Sequence, residues 1–182
     1  MHERDFERAV AGLDLRRAEA LIREDLKNGR WVHTLGVKET AVWLARIHRA
    51  SEEKAAFAAL LHDWAKHAPK EDFKRLVEQG LLPEGEEALG MPKLYHAYLA
   101  AYWIEHEFGV SDPEILEAVR YHSTGSPGLG VCGRILFVAD YIEPGRELRK
   151  IDQIRILAEK DLDAAVREVL RRKMLYLVEK GR

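Results

Sequence analysis

One cysteine, Cys132, in 182 residues excludes an intramolecular disulfide and points to a reducing, cytoplasmic setting. Neither sign of charge dominates: 29 basic against 31 acidic residues give a formal net charge of −2, so no global basic surface offers itself to a nucleic acid polymer. Long apolar runs are absent too. The opening "MHERDFERAV" is charged from its second residue, unlike a signal peptide, and no window approaches a membrane span. No internal repeat or low-complexity segment interrupts the chain. These absences leave a soluble cytoplasmic protein of about one domain, partnered with neither membrane nor nucleic acid polymer, with a small anionic substrate still open.

What is present is helical periodicity, and the fold class it implies is all-α. "AEALIREDLKNG" reads as a short amphipathic helix closed by Asn28-Gly29, with a new helix starting at Arg30. "WVHTLGVKETAVWLARIH" sets His33, Val37, Ala41 and Leu44 on one face. "SEEKAAFAALLHDWAKH" reads as one helix capped by Ser51, and Pro69 ends it and begins another that Gly80 stops. "LLPEGEEALGMPK" is the one long loop. Helices follow from about Pro92 to Phe108 and after Ser111 or Asp112. "VCGRILFVADYIEP" has β-branched content, but Asp140 within it favours a buried helix ended by Pro144. Two helices, at about 147 to 158 and 161 to 179, complete the chain. The basic last helix is assigned to packing, with Val166, Leu170, Leu175 and Leu177 turned inward.

The chemistry lies in the histidines. His33, His62, His96 and His122 each fall on the apolar face of their helix, and Asp140 follows Leu136 and Phe137 at helical spacing. Beside His62 stands Asp63, in "LLHDWAKH". Adjacent helical residues diverge by roughly 100° and do not bond each other, yet both reach one ion lying between them. Four imidazoles and two carboxylates are costly to bury without a shared partner, and a metal centre provides one. His2, His48, His67 and His106 lack the pattern and read as structural or surface residues.

The order of His33, the His62-Asp63 doublet and Asp140 resembles the H…HD…D signature of HD-domain metal-dependent phosphohydrolases, and His96 and His122 resemble the additional ligands of two-metal members. "RWVH", "LLHDWAK", "YHSTG" and "ADYIEPGR" resemble the YqeK-type branch, the symmetrical bis(5'-nucleosyl)-tetraphosphatases. The likeness runs from about residue 18 to 180. It implies a single-domain HD-domain helical bundle over residues 18–182, with 1–17 an N-terminal extension or first helix.

The resemblance also implies a metal held by His33, His62, Asp63 and Asp140 and a second held by Asp63, His96 and His122, with Asp63 bridging. Iron is the family's metal, while the mixed imidazole and carboxylate set equally suits manganese, nickel or zinc. The implied reaction is attack of a metal-bridging hydroxide that cuts diadenosine tetraphosphate into two ADP, with Asp63 and Lys66 as the catalytic pair. Arg30, Lys66 and Arg146 would meet the phosphates, as would Ser123, Thr124 and Gly125. The implied partner is a small dinucleoside polyphosphate, and the protein a monomer or homodimer. Two other readings keep the same ligands: hydrolysis of another nucleotide (a nucleoside mono- or triphosphate, a cyclic dinucleotide or a guanosine tetraphosphate alarmone), or a non-catalytic HD signalling module.

Overall fold

The structure, a computed structural model, describes residues 15–25 and 28–181. The described residues form nine α-helices and no strand: α1 Leu15–Asp25, α2 Asn28–Ile47, α3 Glu52–Leu61, α4 Lys70–Glu78, α5 Tyr95–Phe108, α6 Pro113–Tyr121, α7 Val131–Ile142, α8 Ile151–Lys160 and α9 Leu162–Glu179. None is long and apolar enough to cross a membrane. Most of the N-terminal segment 1–17, including His2, lies outside the described residues.

Helix α3 is the hub because it is apolar on every side. Ala55 through Leu61 are all buried, a pattern that a helix sustains only when neighbours surround it. Those neighbours are α1, α2, α6 and α7. Its start is set by Ser51, whose hydroxyl accepts from the Lys54 N–H at 3.2 Å, with Glu52 and Glu53 favourably placed in the first turn. Helix α6 starts in the same way, with Asp112 accepting from the Glu114 N–H and Pro113 opening the first turn. Asp161 caps α9 through the Ala164 N–H. The segment 131–142 is a helix, as Asp140 and its surroundings suggest.

Three expectations change. The α3 helix does not run on through the doublet: it ends at Leu61, and a 3₁₀ turn, Trp64–His67, follows after Asp63 at φ −106° and ψ 10°. Asn28 and Gly29 open α2 rather than close the preceding helix, since Asn serves a helix start as well as an end. In α9, Val166 and Leu170 pack on the core as expected, but Leu175 and Leu177 are 48% and 44% exposed, in a last stretch where Met174 through Val178 are all exposed and no side of the helix is covered. The long loop also holds a 3₁₀ segment, Pro83–Ala88.

Ser51→Ala should destabilise the protein by about 1 kcal/mol, the usual cost of an N-cap, read as a lower urea midpoint with unchanged slope. An unchanged midpoint would mean that packing alone holds the start of α3.

Candidate metal centre

The last turn of α3 sets the first ligand. A helix leaves its final carbonyls without intrahelical donors, and His62, the C-cap, donates from Nδ1 to the Ala59 carbonyl at 2.6 Å. That bond puts the proton on Nδ1 and leaves Nε2 as the lone-pair nitrogen. The end of α6 repeats the device: His122 caps it and donates from Nδ1 to the Val119 carbonyl at 2.7 Å. His33, on α2, donates from Nδ1 to Glu143 Oε1 at 3.1 Å.

The opposite nitrogens converge. His33 Nε2 lies 3.2 Å from Asp140 Oδ1, and His96 Nε2 lies 3.2 Å from Asp63 Oδ1 and 3.3 Å from His122 Nε2. The His62 ring contacts those of His33 and His122 edge-on, at centroid separations of 5.5 and 5.0 Å. Two triads have ligand atoms close enough to share an ion: His33, His62 and Asp140, and His62, Asp63 and His122. His96 stands beside the second triad through Asp63 and His122.

Asp63 faces two ways. Its Oδ1 is turned toward His96 and His122, the latter at 3.8 Å, and its Oδ2 toward His62, also at 3.8 Å. Burial favours the neutral acid, but the surrounding imidazoles and Lys66 outweigh it and hold Asp63 well below the usual carboxylate range. Asp140 is likewise held ionised against burial, chiefly by His33 and His62. Burial keeps His62 neutral and pulls His122 down to about 3, helped by His62 and His96. For His33, burial opposes the charged form, yet bonding to Asp140 and Glu143 raises its pKa.

The residues fit a divalent cation. His62 Nε2 is buried with no hydrogen-bond partner, a loss of roughly 1–3 kcal/mol unless something accepts that lone pair. Around it stand imidazoles and ionised carboxylates with no thiolate, a donor set for a divalent metal.

The expected phosphate contacts gather around the carboxylates. Arg30 bonds Asp63 Oδ2, Lys66 donates to Asp63 Oδ1 at 3.0 Å and to His96 Nε2 at 2.9 Å, and Arg146 bonds Asp140 Oδ1 at 2.9 Å. These three side chains keep 30%, 31% and 42% of their surface exposed, so each also faces solvent. Ser123 Oγ lies 3.1 Å from His122 Nε2, Gly125 turns the chain at φ +72°, and Thr124 is exposed. The other histidines stay apart: His48 bonds the Ala158 carbonyl, His106 stacks on Tyr102, and His67 is exposed.

Glu143 is the residue that periodicity did not reveal. It is 4% exposed, accepts from His33 and the Gly145 N–H, and its backbone carbonyl accepts from Arg155. Gly36 makes room for it, because a Cβ there would lie 2.8 Å from Glu143 Oε2. An acidic residue between an apolar helix and Pro144-Gly145 was the available signal.

An all-helical bundle enclosing a buried histidine and aspartate cluster for a divalent metal defines the class. Residues 30–145 match the HD domain family. The chain is 39% identical to a symmetrical bis(5'-nucleosyl)-tetraphosphatase of Bacillus subtilis (strain 168), over 92% of this chain and 90% of that one. It is 35% identical to a protein of the same description from Staphylococcus aureus (strain NCTC 8325 / PS 47), over 92% and 87%. A crystal structure from Clostridium acetobutylicum, described as a predicted HD superfamily hydrolase involved in NAD metabolism, superposes with a TM-score of 0.86 at 31% identity, covering 93% of this chain and 89% of that one. The chain belongs to the HD domain family and, within it, to the family of these symmetrical bis(5'-nucleosyl)-tetraphosphatases.

Glu143→Gln and Gly36→Ala should each weaken metal binding about 10- to 100-fold with helicity retained, since both disturb the partner of His33 rather than a ligand. Titration with a chelator competitor measures this, and wild-type affinity in both would remove Glu143 from the centre.

Metal-free protein should lose stability in acid. Folded His122 stays neutral to about pH 3, whereas the unfolded residue protonates near its model value of 6.5. Between those values the unfolded state binds more protons, so stability falls as pH drops from 6.5 toward 3, with His62 adding the same sign. His33 acts oppositely: its stabilisation is present below 6.5 and is lost as pH rises through its raised folded pKa. Asp63 and Asp140 add a loss only below their unfolded value of 3.8. Urea midpoints of chelator-treated protein should fall from about pH 6 to about pH 4. A flat profile would contradict the buried neutral imidazoles.

Proposed function

We propose that this protein hydrolyses diadenosine tetraphosphate symmetrically into two ADP, using two divalent metal ions, iron by family with manganese, nickel or zinc as alternatives. The observation that carries the proposal is the convergence of His33, His62, His96 and His122 on Asp63 and Asp140 inside a rim of Arg30, Lys66 and Arg146. We assign one ion to His33, His62, Asp63 and Asp140 and the other to Asp63, His96 and His122. The opposed orientation of the two Asp63 oxygens supports its role as the bridge, although the close triads also draw His62 toward the second set. Divalent ions supply charge neutralisation on phosphoryl oxygens and acidify water.

The chain's own groups do the positioning. Lys66, tied to Asp63, is placed to stabilise charge developing on the reacting phosphoryl group, and Arg30 and Arg146 to hold flanking phosphates. Ser123, Thr124 and Gly125 offer hydroxyl and N–H groups on the turn after His122. In the reaction, water oxygen bonds to a β-phosphorus while that phosphorus loses its bond to the central bridging oxygen. The leaving ADP keeps the electron pair and takes a proton. We place the activity on residues 18–182, in the cytoplasm, with a small dinucleoside polyphosphate as partner of a monomer or homodimer. Cys132 agrees with a reducing compartment, its thiol pushed by burial up to about 12 and so inert.

Metal-loaded protein in ¹⁸O-labelled water should yield ADP alone, with one label per substrate cleaved, on a β-phosphate. AMP with ATP, or label on AMP, would refute the symmetrical cut. Asp63→Ala should lower occupancy of both metals and abolish turnover, whereas His96→Ala should empty one. Equal metal loss from both variants would undo the partition.

A further inference from the structure

Helix α9 brings to the centre a cation that no ligand carboxylate engages. Lys173 is half-buried, donates from Nζ to the Ser123 carbonyl at 3.1 Å, and lies 4.1 Å from the centroid of the Phe137 ring. Arg30 and Lys66 each bond Asp63 and Arg146 bonds Asp140, but among the described residues Lys173 has no carboxylate at bonding distance. Its amine instead feels Asp140 favourably and Arg146 and Lys66 unfavourably, and burial draws it down to about 8.

Position and cost both point to an anion. Ser123 follows the ligand candidate His122 directly, so Lys173 is anchored at the edge of the centre and not on a remote surface. The turn it grips is held firmly: Gly125 packs between Leu170 of α9 and Phe137 of α7, where a Cβ would meet them at 3.6 and 3.7 Å. An ammonium has three N–H donors, and a carbonyl and a ring face occupy two of them. Asp140 offsets part of the cost of drawing this amine out of water beside Arg146 and Lys66, and a multiply charged anion placed among the three cations would offset more of it.

We propose that Lys173 is a substrate-binding residue that holds a phosphate adjacent to the one being cut, beside the 123–125 turn, and so selects chains of several phosphates over a monophosphate. The idea rests on the phosphohydrolase reading above. Because Lys173 touches no candidate metal ligand, it acts on the substrate rather than on metal retention.

The test is calorimetric binding of ADP and of AMP to metal-loaded Lys173→Met, Lys173→Gln and Lys173→Arg, with metal content and melting temperature measured alongside. Loss of one charge-assisted contact should weaken ADP binding about 10- to 100-fold in Lys173→Met, and AMP binding less than about 3-fold. KM for the dinucleoside tetraphosphate should rise by a factor like that for ADP, with kcat changing less, and Lys173→Arg should recover most of the affinity. Metal content should stay at the wild-type level. Should Lys173→Met fail to fold, Lys173→Gln carries the same comparison. A lower melting temperature with unchanged ADP affinity would make Lys173 a packing residue and overturn the proposal, as would equal weakening of ADP and AMP, or a wild-type protein that binds no ADP. The products formed by wild-type protein judge the hydrolase reading separately.

Discussion

The bond from an imidazole Nδ1 to a carbonyl at the end of its own helix organises this protein. A helix terminus has carbonyls in want of donors, and here His62 and His122 supply them at the ends of α3 and α6. One local bond satisfies the backbone, selects the tautomer and aims Nε2 inward. His33 reaches the same state by a different route, since it sits within α2, where backbone carbonyls are already engaged. It needs Glu143, 110 residues away, as its acceptor.

Charge balance follows from that arrangement. Besides the imidazoles, the bundle surrounds the buried carboxylates Asp63 and Asp140 with Arg30, Lys66 and Arg146. The carboxylates stay ionised despite burial, which is the state a cation needs. The same guanidinium and ammonium groups remain partly open to solvent, and thus a single set of cations can serve both the resting carboxylates and an incoming polyphosphate. Sharing of this kind is economical in a chain whose overall charge is nearly balanced.

Sequence and structure part company at two instructive places. The apolar run "AAFAALLHDWAKH" carries no glycine or proline to mark an interruption, and yet the α-helix stops before His62. The break lets His62 use a last-turn carbonyl while Asp63 turns to meet His96, a requirement of the centre rather than of local propensity. In α9, a 3.6-residue pattern alone assigned Leu175 and Leu177 to the interior. Only the packed fold reveals that Met174 through Val178 are all exposed, and that Lys173 is the side chain reaching inward.

Amino-acid order by itself determined the all-helical class, the cap at Ser51, the choice of Ser111 or Asp112 as the cap of α6, and the six ligand candidates that the fold brings together, because helical periodicity and capping are local and are written within a few residues. It also carried the family, through motifs spread from Arg30 to Arg146. Tertiary structure alone decided which oxygen of Asp63 faces which histidine, that Glu143 supports His33, and that Lys173 lies beside Ser123. The Glu143–His33 and Lys173–Ser123 contacts join residues 110 and 50 positions apart, and Asp63 meets His96 and His122 from other helices, so the relative placement of whole helices, and not the spacing within any one of them, sets the distance.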